Sequence, residues 1–360
     1  MNKELHLKSF LIFTFVMTMS LFHTQITQAQ STPAEFAEMS LQELFELKID
    51  NESRPEQDMP KWNVSYQYKV AEFDGYLEGD ESLSRQDVLW SGPDEVRTAA
   101  NFPIVPTVIK QRAHLVRVGY QYSDTLALYL SAPYIKQETD HISIIPGYEH
   151  FIIETDGVGD TIFSLNYKFV DIDLHRWWVN FGISLPTGSI EEHGDTPRAL
   201  GNQQLPYTMQ TSSGTYDIPI EFNYQHLGAK DFSLTFSAML RTGTNDRDYR
   251  LGNNYRISLK YGFPLMAQMK WFLGSEFQYS SKISGQDDTL LINAPFPYPA
   301  SITNPNFYGG RKLSVRTGLT WQIDNRFRVT AELGKPVYQH LNGPQPKETW
   351  RGALQLSTAF

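Results

Sequence analysis

From Trp62 to the last residue the chain repeats one pattern: apolar and polar residues alternate, run after run. Trp62, Val64, Tyr66, Tyr68 and Val70 alternate with Asn63, Ser65, Gln67 and Lys69. Phe232, Leu234, Phe236, Ala238 and Leu240 alternate with Ser233, Thr235, Ser237 and Met239. Leu313, Val315, Thr317, Leu319 and Trp321 alternate with Lys312, Ser314, Arg316, Gly318 and Thr320. A period of two belongs to β-strands, whose successive side chains leave opposite faces of a sheet. Each run has about the 9–11 residues that a tilted strand needs to cross a bilayer.

Twelve such runs are expected, at 62–75, 107–122, 125–137, 158–170, 176–187, 214–226, 231–243, 252–264, 267–283, 310–323, 326–338 and 349–360. Their connections alternate in length. Segments such as "SDT" and "DN" are short, whereas 76–106, 138–157, 188–213, 244–251, 284–309 and 339–348 are mostly longer and hold most of the proline. Short turns at one end and long loops at the other mark a membrane barrel. An even strand number lets the last strand close antiparallel on the first. The fold class expected is therefore all-β, a closed antiparallel transmembrane β-barrel of about twelve strands.

The final run, "WRGALQLSTAF", stops on Phe360 with no polar tail. Trp350, Leu354, Leu356 and Phe360 share one face with Gly352 and Thr358, and Arg351 and Gln355 lie on the other. A closing strand of a barrel needs no tail. Mean hydropathy is −0.39, a value that would fit a soluble protein. In a barrel, however, half of each strand lines a polar interior and lowers the average. The soluble alternative, a β-sandwich with one wet face, does not explain why Trp62, Tyr122, Tyr167, Trp177, Tyr224, Tyr255, Trp271, Trp321 and Trp350 fall near strand ends. Interfacial aromatic girdles do.

Ahead of the strands, Lys3 and Lys8 precede an apolar run from Phe10 to Phe22 and then Thr27-Gln28-Ala29, the order of a secretory signal with cleavage after Ala29. That run is too short for a membrane-spanning helix. Ser40 and Glu43 have capping-box spacing before a short amphipathic helix starting near Leu41. The expected organisation is a signal peptide at 1–29, a periplasmic helix and linker at 30–61, and a barrel at 62–360. The helix could act as a plug, with Glu43 and Glu46 against a basic wall. Cysteine is absent, which excludes disulfides and thiolate metal sites, and a net charge of −9 argues against nucleic acid as a partner.

Three motifs add a resemblance. "DGVGDTIFSLNYKF" from Asp156, "ISLPTGS" from Ile183 and "SSGTYDIPIEFNY" from Ser212 together resemble the outer-membrane family labelled "MetA-pathway of phenol degradation", whose members are described as transporters. The resemblance extends in order and spacing from about residue 62 to Phe360. It implies a barrel in the outer membrane of a Gram-negative cell, with outer-membrane lipid and small-molecule solutes as partners. Terminal Phe360 resembles the aromatic ending recognised by barrel-assembly machinery. "MSLQELFELKI" resembles the leader ahead of the plug in some TonB-dependent receptors, but no plug domain follows here.

With the alternation assigned, inward positions follow. Candidates for a permeation path are Lys69, Arg117, Asp160, Asp217, Arg256, Lys260, Lys270, Lys312, Arg316, Arg328 and Arg351. Inward bases outnumber inward acids (Glu221, Asp231, Glu276 and Glu332 among them) and come mostly from the second half of the barrel. One wall should be electropositive and favour anionic solutes, as rings of Lys and Arg do. The competing reading makes the same charges a network that rigidifies a narrow barrel.

The function expected is passive transport of small solutes, anionic from the basic wall or aromatic from the family label. The alternative is a closed structural or surface-interaction barrel acting through its long loops. A lipid hydrolase carries less weight. His141 and Ser143 are two apart, as a base and a nucleophile could be, but they fall in an expected loop without an orienting partner. Glu191, Glu192, His193 and Asp195 match no metal-site spacing and read as a solvated turn. No catalytic, cofactor-binding or metal-binding residue is expected.

Overall fold

The computed structural model describes residues 61–360 apart from Ala229. The signal peptide and the amphipathic helix expected before residue 61 lie outside the described residues. The longer strands are β1 (Trp62–Gly79), β2 (Ile104–Gln121), β3 (Leu126–Ser143), β4 (His150–Val158), β5 (Thr161–Ile172), β6 (His175–Leu185), β7 (Asp217–His226), β8 (Asp231–Arg241), β9 (Asn254–Met266), β10 (Met269–Ser280), β11 (Gly310–Gln322) and β12 (Phe327–Ala359), and strands of two or three residues lie in the long loops. Consecutive strands pair antiparallel, except that β4 and β5 both pair with β3, and β12 pairs with β1, so the sheet closes.

Eleven of these strands form the ring, and β4 extends it beside β3. β4 and β5 make one pass along β3, broken by a bulge at which the Gly159 amide donates to the Pro133 carbonyl. β12 is 33 residues long. Its first part pairs with β11 as far as Leu341, and its second part returns from Leu341 along β1 to Ala359. The Gln339 side chain bonds the backbone of Glu348 on the returning arm. The runs expected at 326–338 and 349–360 are thus two arms of one hairpin, and the loop expected at 339–348 is mostly its tip. Likewise β3 and β4 carry strand pairing through most of the loop expected at 138–157.

Burial follows the alternation. Leu130, Phe163, Phe181, Phe222, Leu259 and Leu273 are exposed on the outer face, whereas Arg117, Ser131, Asn166, Asn180, Arg256 and Glu276 are buried on the inner one. Large apolar side chains outside and polar ones inside invert a soluble protein and match a barrel in lipid. Near the short turns the aromatics pair: Trp62 with Tyr120 at 4.8 Å, Trp177 with Tyr224 at 4.6 Å and Phe263 with Trp271 at 4.9 Å between ring centroids. Tyr255 stacks on Tyr279 towards the other end, at 6.3 Å.

The long loops turn inward. A 3-10 turn at Tyr207–Met209 places Met209 against the inward side chains of β3 and β4: Thr139 donates to its sulfur and Thr155 to its carbonyl. Gln137 donates to the Gln210 carbonyl. A second turn at Ser301–Thr303 buries Ile302 with Ile104 and Ala300. Above these, Tyr207, Tyr249, Leu251, Ile283, Leu290 and Tyr308 form an apolar core from three loops. Arg247 pins those loops together, donating to Asp287 at 2.6 Å, Glu191 at 2.9 Å and Thr289 at 2.7 Å. Burial alone would depress its pKa, but the bonds to Asp287 and Glu191 hold it above the ordinary arginine value.

If Leu259 faces the bilayer, Leu259→Arg should cost roughly 2–4 kcal/mol near the midplane. Unfolding titrations in lipid vesicles measure this, and an unchanged midpoint would place the strand face elsewhere.

Candidate functional site

The three motifs that carry the family resemblance meet at one clasp. Thr187 donates to the Gly159 carbonyl at 2.8 Å and accepts from the Thr161 amide at 2.9 Å. Asp160 accepts from the Ser212 hydroxyl at 2.5 Å and from the amide and hydroxyl of Ser213 at 2.9 and 2.6 Å. Asp217 accepts from Ser213, Thr215, the Thr242 amide and Arg241. Two glycines make the approach possible. A Cβ at Gly188 would stand 2.6 Å from the Val158 carbonyl oxygen, and Gly214 has φ +69° against Asn245. Asp160 and Asp217 therefore anchor the loop that enters the lumen.

Below the inserted loops, the second half of the barrel and β1 line a cavity of about 100 Å³. Lys69, Arg256, Lys260, Arg316 and Arg351 converge on it, with Glu276 and Glu332. Six strand passes contribute, so neighbours in space are far apart in sequence. Glu276 lies 3.7 Å from Arg256, 3.6 Å from Arg316 and 3.5 Å from Arg351. Arg316 also reaches Glu332 at 3.4 Å. Glu348 is shared: Arg351 bonds it at 2.6 Å, and buried Lys312 bonds it from the loop side. Lys312 and Glu348 in turn border a smaller cavity with Thr208 and Ile302 of the inserted loops. One carboxylate thus links the basic chamber to the base of the loops.

Inward-facing glycines give the chamber its room. Arg316 pairs with Gly274 on one side and Gly334 on the other. A Cβ at Gly274 would lie 3.0 Å from Arg316 Nε, and one at Gly334 3.2 Å from Arg316 Cβ. The arginine therefore lies along the wall. Phe272 similarly covers Gly318, with Lys260 Nζ 4.7 Å from the ring centroid. The adjoining strands β2 and β3 repeat the arrangement: Tyr129 covers Gly119, and Arg117 stacks over it at 3.8 Å.

Of the residues expected to line a path, Lys69, Arg256, Lys260, Arg316 and Arg351 come together, and Lys312 sits beside them. Arg117 lies outside the chamber, on the adjoining strand β2, with its Nε and Nη2 lacking acceptors. Lys270 pairs with Asp231, and Arg328 donates to Gln322 at 2.8 Å, both near the short turns. Glu348 is not among the expected residues because its segment reads as a loop in sequence. Phe272 and the glycines are not among them either. Their signal is nevertheless present, since Gly274, Gly318 and Gly334 all fall on the polar phase of the alternation.

His141 and Ser143 sit on β3. The His141 ring stacks on Phe151 at 4.6 Å and its Nδ1 contacts the Thr139 carbonyl, while Ser143 donates to the Tyr148 carbonyl at 2.9 Å. The pair is not in the mutual geometry of a base and its nucleophile.

The family described as "Putative MetA-pathway of phenol degradation" matches residues 114–339. The chain belongs to that family. Its fold is similar to that of an outer membrane channel from Pseudomonas putida F1, at 14% identity and a TM-score of 0.56, over 86% of this chain and 100% of that one. The translocator domain of the autotransporter NalP from Neisseria meningitidis aligns over 85% of this chain and 90% of its own, at 8% identity and a TM-score of 0.44. No curated protein matches the sequence.

Glu276 is almost fully buried among guanidiniums. Removing one partner from such a cluster leaves uncompensated charge, so Glu276→Gln should cost roughly 3–5 kcal/mol. Urea unfolding in lipid vesicles measures it, and a neutral result would mean that the arginines find full compensation elsewhere.

Proposed function

We propose that this protein is an outer-membrane channel through which small anionic solutes diffuse passively, with the inserted loops restricting entry. The observation that carries this reading is the chamber itself. Five cationic side chains face two carboxylates around one cavity inside a closed barrel, in a chain whose net charge is −9. Such a bias within a low-dielectric wall concentrates anions and excludes cations. The likeness to a channel fold agrees with transport. Val70, Ala71 and Ala353 add apolar surface to the same cavity, so a solute with an apolar body would also be accommodated.

The second reading, a closed barrel acting through its loops, is favoured by one observation: the apolar core of Tyr207, Tyr249 and Tyr308 with its Arg247 pin gives the loops a packed interior of their own. Single-channel recording in a planar bilayer under a salt gradient separates the two. Protein purified from membranes should give steady conductance with a reversal potential displaced towards that of the anion. Arg316→Gln combined with Arg351→Gln should move it back towards zero. Folded protein with no conductance would favour the closed barrel.

A further inference from the structure

One lysine breaks the pattern of the lipid-facing surface. Val315 of β11 faces outward in line with Leu313 and Leu319, and its partner on β12 is Lys335. Lys335 is exposed between Leu333 and Val337, which are 62% and 55% exposed. Exposed Arg311 lies nearer the long loops on β11, opposite Tyr279 on one side and His340 on the other. The outward phases of β9, β10, β11 and the first arm of β12 contain no carboxylate. Among the described residues, neither Lys335 nor Arg311 has a hydrogen bond or ion pair to the protein. On β2 and β3, by contrast, outward Lys110 is answered by Glu138 at 2.8 Å. Height sharpens the difference. At ~3.3 Å per residue and the usual tilt, Arg311 stands about 25 Å above Trp321, where a strand leaves the apolar band. Val315 and Lys335 stand only about 15 Å above it, inside the band. A cation on the lipid face is costly unless its head finds an anion or water.

We propose that Lys335 and Arg311 hold the phosphate of an outer-leaflet lipid. The lysine stem snorkels past Tyr338 toward the long-loop boundary, where its ammonium and the Arg311 guanidinium share one headgroup. The acyl chains lie along Leu313, Val315, Leu333 and Val337. The long-loop end of an outer-membrane barrel faces outward, so the lipid belongs to the outer leaflet. Two cations with no carboxylate beside them favour a phosphomonoester, whose charge approaches about −2 at neutral pH. A zwitterionic phospholipid brings its own ammonium to its phosphate and gains less. The ligand class is therefore an acylated phosphomonoester such as a phosphorylated outer-leaflet glycolipid. This site lies on the outside of the barrel and does not depend on conduction through it.

The test titrates the full chain in detergent with bisphosphorylated lipid A and counts bound lipid by native mass spectrometry. Binding should saturate. Lys335→Gln combined with Arg311→Gln should weaken it by about tenfold or more, the loss expected for hydrogen bonds to a charged group. Arg326→Gln, an exposed cation at the short-turn end, should leave it unchanged. Lipid A stripped of its phosphates should bind as weakly to the unaltered chain as lipid A binds to the double variant. Unfolding titrations in vesicles give an independent reading. Lys335→Leu should raise the midpoint in neutral phosphatidylcholine and lose the further stabilisation that lipid A gives the unaltered chain. Equal affinity for the phosphate-free lipid, or undiminished binding by the double variant, would overturn the phosphate contact. Displacement of lipid A by inorganic phosphate would make this a free-anion site and overturn the lipid assignment. A dimer in detergent that Lys335→Gln dissociates would assign the lysine to a second copy of the chain instead.

Discussion

Everything in this structure depends on closing the sheet. The Trp62 amide donates to the Phe360 carbonyl and the Phe360 amide to the Trp62 carbonyl, each at 2.9 Å, and β1 then follows β12 from Asn63 to Gly79. In lipid an open edge would leave a row of unpaired backbone groups, each costing several kcal/mol. The ring removes that edge. Once it is closed, a period of two is enough to sort the whole molecule: every Leu, Phe and Trp of one phase meets lipid, and every Arg, Asn and Glu of the other is enclosed. The aromatic terminus is part of this closure, since Phe360 forms its last pair.

Enclosure creates the second constraint. Charges turned inward cannot be fully hydrated, so they must find one another. Here they do so unequally. On the β3–β7 side the interior is mostly neutral: Asn166 donates to Asn180, and Asn180 and Asn223 donate to Glu221. On the β9–β12 side cations dominate and share Glu276, Glu332 and Glu348. The bridge from Arg351 through Glu348 to Lys312 runs from that chamber to the cavity lined by Thr208 and Ile302. Charge distribution in the chamber and seating of the loops are therefore one electrostatic system.

The alternation of Phe232–Leu240 or Leu313–Trp321 is readable in sequence because each residue needs only its own phase to choose lipid or lumen. The inward direction of Arg316 and Arg351 is legible for the same reason. Whatever depends on pairing beyond the membrane is not. β3 keeps pairing past Tyr134, where outward residues become charged, as with Lys110 and Glu138 at 2.8 Å. Polar outward residues look like a loop in sequence. The tip of β12, with Pro344 and Pro346 near its turn, hides its pairing in the same way. Insertion of 188–213 into the lumen depends on Asp160 meeting Ser212 and Ser213, a contact across 52 and 53 residues that no local pattern encodes. The motifs around these residues are recognisable, but their joint purpose emerges only when the clasp is assembled.

Anomalous diffraction from crystals grown in bromide would locate anions inside the barrel directly. An anion-selective chamber predicts a bromide peak within contact distance of Arg316, between Phe272 and Glu332, and its loss in Arg316→Gln. Bromide found only among the outer loops, with the chamber empty at the same concentration, would contradict it.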